Sequence, residues 1–379
     1  MAKAARHDGR VWQLWLRYRL RWKRRELLWR AIRAGRRLSP VADRSAGIRR
    51  GDILCLATIR NEAARLPRFL AHYRGLGVAH FLIVDNDSDD GSVEFLRIQG
   101  DVSLWRARGS YREARFGLDW VNALLFRHGR GHWCVTADAD EFLIYPDWEE
   151  RDLHALTAHL DASGIEAMGA LMLDLYPQGA LGRADAPEDA PLWLRLPYFD
   201  GGPYRCRTIQ PRRNRWVQGG ARERAFFATD PSRSPTLNKL PLVRWRAGRV
   251  YVNSTHSMLP PRLNDAWDGP GDPRLSGVLL HGKFLPDILA RSAEELTRRQ
   301  HFRDPHAYAA YHRAITEAPV LWHEGSRRFA GWRQLLDLGL MGAGEWLSGG
   351  ERPCQTRSEA SLQAITDINT RQPGRPNQQ

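Results

Sequence analysis

The 379-residue chain is 42% hydrophobic and 26% charged, the balance of a globular fold, which excludes a largely disordered or fibrous chain. No run of about 18 apolar residues occurs, so no transmembrane helix is expected. The net charge of +14 suggests a polyanion-binding fold until it is located: residues 1–50 carry 16 basic side chains against Asp8, Glu26 and Asp43, a net of +13, and the rest of the chain stands at +1. The basicity belongs to a leader, and nucleic acid is not an expected partner of the body. The start, MAKAARHDGR, has no apolar core or small-residue cleavage site of a secretory signal, so a cytoplasmic location is expected. Cys55, Cys134, Cys206 and Cys354 form neither a CxxC pair nor a disulfide framework, and Cys55 and Cys134 sit in apolar runs as core thiols.

Within the leader, Val11, Trp15, Tyr18, Trp22, Trp29 and Ile32 recur at spacings of three, four and seven, which predicts an amphipathic helix with an aromatic face amid arginines. Such a helix over residues 10–38 fits the anionic inner face of a membrane, making the protein peripheral there. Packing on the body or on a second subunit, or nucleic-acid binding, are the alternative readings of the same pattern.

From Gly51 the pattern changes. GDILCLATI reads as a buried strand, NEAARLPRFLAHYRGLG as a helix, AHFLIVDNDSDDGS as a second strand entering an Asp-rich turn, and SVEFLRIQG as a short helix. VSLWRA is a third strand, YREARFGLDWVNALLFRHGRG a third helix, and HWCVTADADEFLIYP a fourth strand ending in acids. The alternation predicts an α/β fold with a mainly parallel sheet flanked by helices, whose ligands bind at the carboxyl ends of the strands. Residues 179–191 read as a loop able to cover that edge, and residues 291–348 as a C-terminal helical extension that closes the back. The polar segment 349–379 is expected to be a disordered tail. The divisions are therefore 1–50, 51–290, 291–348 and 349–379.

The polar residues fall at the expected edge: Arg60, Asn61 and Glu62 after the first strand, Asp85 to Asp90 after the second, and Asp138 to Glu141 after the fourth. Asp138 and Asp140, two apart at a strand end, would project to one side and share a cation, and oxygen ligands of this kind suit Mg²⁺ or Mn²⁺. Capping of the next helix, or pairing with arginines, is the alternative. A phosphohydrolase reading of the Asp-x-Asp pair fails, because that motif follows a first strand and has Thr or Val where this chain has Phe142.

Ala57-Thr58-Ile59-Arg60-Asn61-Glu62, Val84-Asp85-Asn86-Asp87-Ser88-Asp89-Asp90-Gly91-Ser92 and Asp138-Ala139-Asp140, in that order, resemble the nucleotide-sugar half of family 2 glycosyltransferases. The closest likeness is to the bacterial family 2-like branch related to family 92. It extends over about residues 52–345, through Gly219-Gly220-Ala221-Arg222, residues 237–245, Ser254-Thr255-His256 and residues 277–284. The resemblance implies a GT-A fold, a divalent metal, a nucleoside-diphosphate sugar donor, inversion at the anomeric carbon and a glycan or lipid-linked acceptor. It places Asn61 and Glu62 beside the nucleoside, Asp85 in the base or ribose pocket, and Asp138 and Asp140 around metal and diphosphate. Asn86 departs from the family's paired Asp and brings an amide donor to that pocket.

A third metal ligand is expected, and His281 is chosen because VLLHGKF sets His281 and Lys283 on one side of a strand end, with Lys283 on the diphosphate; His256 is the alternative ligand. Glu223, at the family's acceptor-side interval, is the candidate base, with Asp174 and Asp200 as alternatives and a surface ion pair as its bland role. Arg222, Lys239, Arg244, Arg298, Arg299 and His301 are candidates for phosphate contact. The competing function is a non-catalytic GT-A-like module that binds nucleotide or glycan at a membrane.

Overall fold

The computed structural model describes residues 2–298 and 305–348, with side chains for 15–16, 18–297 and 309–348. The tail beyond Ser348, Cys354, Arg299 and His301, and the side chain of Arg298, lie outside the described residues. The chain runs as α1 (Ala2–Gly35), β1 (Leu38–Ala42), β2 (Ile53–Ile59), α2 (Leu66–Gly75), β3 (Val78–Asp85), α3 (Ser92–Arg97), β4 (Val102–Ala107), α4 (Leu118–Leu124), β5 (Trp133–Thr136), β6 (Glu141–Ile144), α5 (Leu153–Ala162) and β7 (Ala167–Asp174). There follow α6 (Leu192–Arg195), β8 (Tyr198–Asp200), β9 (Tyr204–Ile209), β10 (Asn214–Gly219), α7 (Gly220–Phe226), β11 (Asn238–Arg244), β12 (Val250–Tyr251), β13 (Met258–Leu259), β14 (Gly277–His281), α8 (Ile288–Arg298), α9 (Pro305–Thr316), β15 (Ser326–Arg328) and α10 (Trp332–Asp337).

Nine strands form one sheet in the order β1-β4-β3-β2-β5-β11-β7-β14-β6. Strands β2, β3, β4, β5, β7 and β14 point one way, while β1, β11 and β6 run against them. Alternation along β2 shows why the strands read as unbroken apolar runs. Ile53, Cys55, Ala57 and Ile59 face a layer made by Phe69 and Tyr73 of α2 and Leu153, Leu156 and Leu160 of α5. Leu54 and Leu56 face Leu118, Val121 and Leu124 of α4. A strand covered on both faces has no polar position to display. Cys55 and Cys134 lie in this core, as expected.

Three features depart from the sequence reading. The fourth strand is two strands: β5 ends at Thr136, a turn carries Asp138 and Asp140, and β6 crosses to the far edge to pair antiparallel with β14. The third helix begins only at Leu118, because Arg115, Phe116 and Gly117 all take left-handed backbone conformations. At Gly117 a Cβ would also meet the Thr58 side chain at 2.8 Å. Finally, packing crosses the boundaries placed after residues 50 and 290. Strand β1 pairs with β4, and α8 reaches the polar edge of the sheet.

Close packing at the centre gives a first testable consequence. Gly169 lies in β7, where an added Cβ would approach the Trp267 Cβ to 2.3 Å, and Trp267 is itself buried. Gly169→Ala is therefore expected to destabilise the fold by about 1–3 kcal/mol through overpacking. An unchanged thermal midpoint would show that Trp267 yields at no cost.

Candidate functional site at the strand ends

The loops after β2 and β3 are laced together by the residues that the sequence reading assigned to nucleotide. Asn61, in a left-handed conformation that Asn tolerates, receives the Asp89 N–H on its side-chain oxygen at 3.0 Å, and its own N–H donates to Ser88 Oγ at 2.9 Å. The Glu62 N–H donates to Ser92 Oγ, and Arg60 donates to the Asn86 carbonyl. Asp85 is fully buried and accepts from the backbone N–H groups of Asp87 and Ser88, with Arg106 Nε 3.7 Å away. Asn86 spends both amide hydrogens on the carbonyls of Ala107 and Gly109. An Asp at that position has no hydrogen to donate and could not make these two bonds. Asn61, Asp85 and Asn86 thus tie the two loops into one wall of the site through Asn61 Oδ1, the Asp85 carboxylate and Asn86 Nδ2.

Helix α8 joins this wall. Arg291 pairs with Glu62 at 2.7 Å and donates to the Asn61 carbonyl at 2.6 Å, and Asp287 pairs with Arg65, which also binds Glu62. Burial raises the Glu62 carboxyl above its ordinary value, and Arg65 and Arg291 offset only part of that. Arg291 was missed in the sequence because α8 reads as an ordinary amphipathic helix; nothing local ties position 291 to position 62.

Across the edge, the ends of the β5–β6 turn, β7 and β14 meet. His281 Nδ1 donates to Asp174 Oδ1 at 2.6 Å, and its Nε2 stands 3.4 Å from Asp140 Oδ2. Arg222 of α7 donates to the other Asp174 oxygen at 2.7 Å. Parallel pairing of β14 with β7 sets His281 opposite Asp174, so register alone brings the imidazole to its orienting carboxylate. Burial opposes charge on the imidazole, yet Asp140 and Asp174 outweigh it and raise His281 to about 9. Burial likewise opposes charge on Asp140, but His281, then Arg65 and Lys283, hold it well below the usual carboxylate range. The His281 imidazolium is thus itself the cation between Asp140 and Asp174, held through Nδ1 on Asp174 with Nε2 aimed at Asp140.

Asp138 does not join them. The turn directs it outward, with a 58% exposed side chain, toward Lys239 Nζ at 3.5 Å. Lys239 is buried and pairs with Glu141 at 2.7 Å; although burial disfavours its charge, Glu141 and Asp138 raise its pKa above the ordinary value. Of the expected trio, Asp140 and His281 stand together and Asp138 is turned away from them, because the two Asp residues lie in a turn where strand alternation does not operate. Among the described residues, no three His, Cys, Asp or Glu side chains are gathered so as to hold a metal ion.

Lys283, half-buried, has no ion pair among the described residues. Burial lowers its pKa; Asp140 counteracts this, while Arg222, Arg291 and Arg65 push it further down. Lys239 and Arg222, expected on phosphate, are instead bound to carboxylates. Arg244 lies at the opposite edge of the sheet, paired in register with Trp133, 3.9 Å from Asp161. His256 Nδ1 bonds the Asn238 carbonyl, and burial, with Lys239 and Arg222 nearby, lowers it to about 3, so it stays neutral.

Glu223 is gripped by Arg205 at 2.5 and 2.6 Å and receives the Ser234 hydroxyl at 2.7 Å. Burial raises its pKa, but Arg205 and Ser234 prevail and lower it. Beside it opens a cleft of about 400 Å³ lined by Arg205, Arg207, Trp216, Gln218 and Ser232. Asp200, the other alternative base, is bound by Tyr176 and Arg224. The loop over residues 179–191 is irregular, as read, anchored by the bridge of Ala180 to Val320.

The chain matches no model of a known protein family and none of the curated proteins with which it was compared.

Proposed function

We propose that the protein is a GT-A glycosyltransferase that moves a sugar from a nucleoside diphosphate to the hydroxyl of a glycan or lipid-linked acceptor, with inversion. The observation that carries the reading is the chain Arg222–Asp174–His281–Asp140 at the carboxyl ends of the strands, with Lys283 beside it and outside any described ion pair. Asp140 and, once its Nε2 proton is displaced, His281 would hold one divalent ion, Mn²⁺ or Mg²⁺. Such an ion, when bound, neutralises charge developing on the departing diphosphate. Asp174 fixes the imidazole, and the Lys283 ammonium stabilises the same leaving group. In the transfer, an acceptor oxygen bonds to the anomeric carbon as the bond from that carbon to the diphosphate oxygen breaks, and the hydroxyl proton passes to a carboxylate. We assign the cleft beside Glu223 to the acceptor and Glu223 to the proton. It becomes available when Arg205, 53% exposed, swings out of the pair.

The Arg205 pair favours a second reading, a non-catalytic nucleotide- or glycan-binding module. Release of free sugar from a panel of nucleotide sugars separates the two.

The test is thermal stability with UDP, GDP, dTDP or CMP, with and without Mn²⁺. One diphosphate should raise the midpoint in an ion-dependent way, since a ligand at 100 times its Kd adds about 2.7 kcal/mol. No stabilisation by any of the four at millimolar concentration would overturn the donor site.

A further inference from the structure

Among its described side chains, helix α1 sets one face on the body. Leu27 and Ala31 are buried; Leu27 packs against Val250 and Leu259, with Leu20 and Leu28 beside them. Arg30 pairs with Asp119 and donates to the Glu113 carbonyl. The opposite face carries Trp15, Tyr18, Trp22 and Trp29, exposed at 43, 57, 52 and 60%. Spacings of three, four and seven align these rings along about 21 Å of helix. They project from a segment, residues 15–35, with eight Arg or Lys side chains and one Glu. Arg19 lies over the Trp15 ring and Arg25 over Trp22, at 4.6 and 5.2 Å. Four large aromatics standing in water are not what a helix partnered only by its own body would carry.

The direction of the helix adds to this. At its C-terminal end the Gly35 carbonyl accepts from Arg127, past the end of α4, whereas Arg30 is already at the start of α4, next to Gly117 and the Thr58 end of β2. Traced backward, α1 runs from the amino edge of the sheet to the carboxyl edge and beyond it. At about 1.5 Å per residue, Trp15 lies about 22 Å past Arg30 along the axis.

We propose that the aromatic face of α1 lies on an anionic lipid bilayer and tethers the body, with its Asp140–His281 site, beside that bilayer. Trp and Tyr rings settle at the boundary between headgroups and acyl chains, and flanking Arg and Lys are drawn to anionic headgroups by about 1 kcal/mol each. A second copy is the poorer occupant, because the basic belts flanking the rings would face one another. Nucleic acid would satisfy the charges but leave the aligned rings without an apolar phase. The proposal does not depend on sugar transfer and is measured without nucleotide, so the two readings fail separately.

The experiment is co-sedimentation of the full chain with vesicles of phosphatidylcholine alone and with added phosphatidylserine. The wild type should pellet with the anionic vesicles, less so as salt rises, and stay in solution with the neutral ones. Replacing Trp15, Trp22 and Trp29 together by Ala should lower the vesicle affinity at least about tenfold while the thermal midpoint stays unchanged, as these side chains are exposed. Arg21→Glu with Arg25→Glu, both exposed, should weaken binding in the same direction and flatten its salt dependence. Wild-type protein that remains in the supernatant would overturn the proposal, as would full binding by the triple-Trp variant. So would a wild-type dimer that the triple variant converts to monomer, or RNA binding lost in that variant without any vesicle binding.

Discussion

Asp140→Asn is expected to abolish the Mn²⁺-dependent part of nucleoside-diphosphate stabilisation and to lower transfer by at least about 100-fold, the scale of losing one aligned electrostatic contact at a leaving group. The residue is suited to the test because its role is separable from packing. Its carboxylate stands 3.4 Å from His281 Nε2 with a partly open side chain, and Asn keeps the shape while removing the negative charge. The imidazole then loses one of its two carboxylates but keeps Asp174, so it remains oriented. Glu223→Gln provides the contrast: it should remove transfer and leave the nucleotide-dependent shift intact, because Glu223 faces Arg205 and Ser234, not the Asp140–His281 pair. If Asp140→Asn kept both the ion dependence and the turnover, Asp140 would be no ligand. If Glu223→Gln kept full turnover, the proton would go elsewhere.

What the sequence made legible follows from burial. Strands β2, β3 and β4 are covered on both faces, so each is an apolar run with a polar break, and the break marks the carboxyl edge. That rule located Asn61, Glu62, Asp85 and Asp140 at one edge. It failed where residues beyond the run decide the conformation. Segment 133–145 looks like one strand because Ala137 and Ala139 are as buried as the flanking strands; the turn is visible only from where β6 pairs. Strand β11 inserts antiparallel between β5 and β7, and that placement puts Lys239 beside Glu141 at a distance of 98 positions that no local pattern encodes. His281 was legible as the polar end of an apolar run, while its partner Asp174 required the register of β14 on β7. In the leader the aromatic spacing left several readings open, and the structure places leucines and Ala31 on the body and the tryptophans outward.

Lys239→Met should cost about 3–5 kcal/mol of stability, the penalty for leaving one member of a buried ion pair alone. Lys239 and Glu141 side chains are only 4% and 1% exposed and meet at 2.7 Å, so no water replaces the lost ammonium. Glu141 would also remain near Asp138, whose backbone N–H it binds at 3.3 Å. The sign with pH is fixed. Burial already raises the Glu141 carboxyl above its ordinary value against the opposing pull of Lys239, and without that ammonium it rises further. Protonation then relieves the penalty, so the loss is small below about pH 4.3, the unfolded carboxyl value, and grows as pH rises through the folded one. Thermal or urea unfolding of the variant should therefore differ from wild type more at pH 8 than at pH 5. Adding Glu141→Leu to Lys239→Met removes the stranded charge and should restore much of the stability, giving a large coupling between the two positions. A single variant as stable as wild type, or a deficit independent of pH, would mean that the pair opens to solvent. Lys239 and Glu141 satisfy each other and hold the floor under the β5–β6 turn, whereas Asp140 and His281 leave their facing atoms 3.4 Å apart. The stabilising pair and the candidate ligand pair are neighbours in one strand-end cluster. Their substitutions should separate cleanly, one lowering the midpoint without ligand and the other lowering only the response to it.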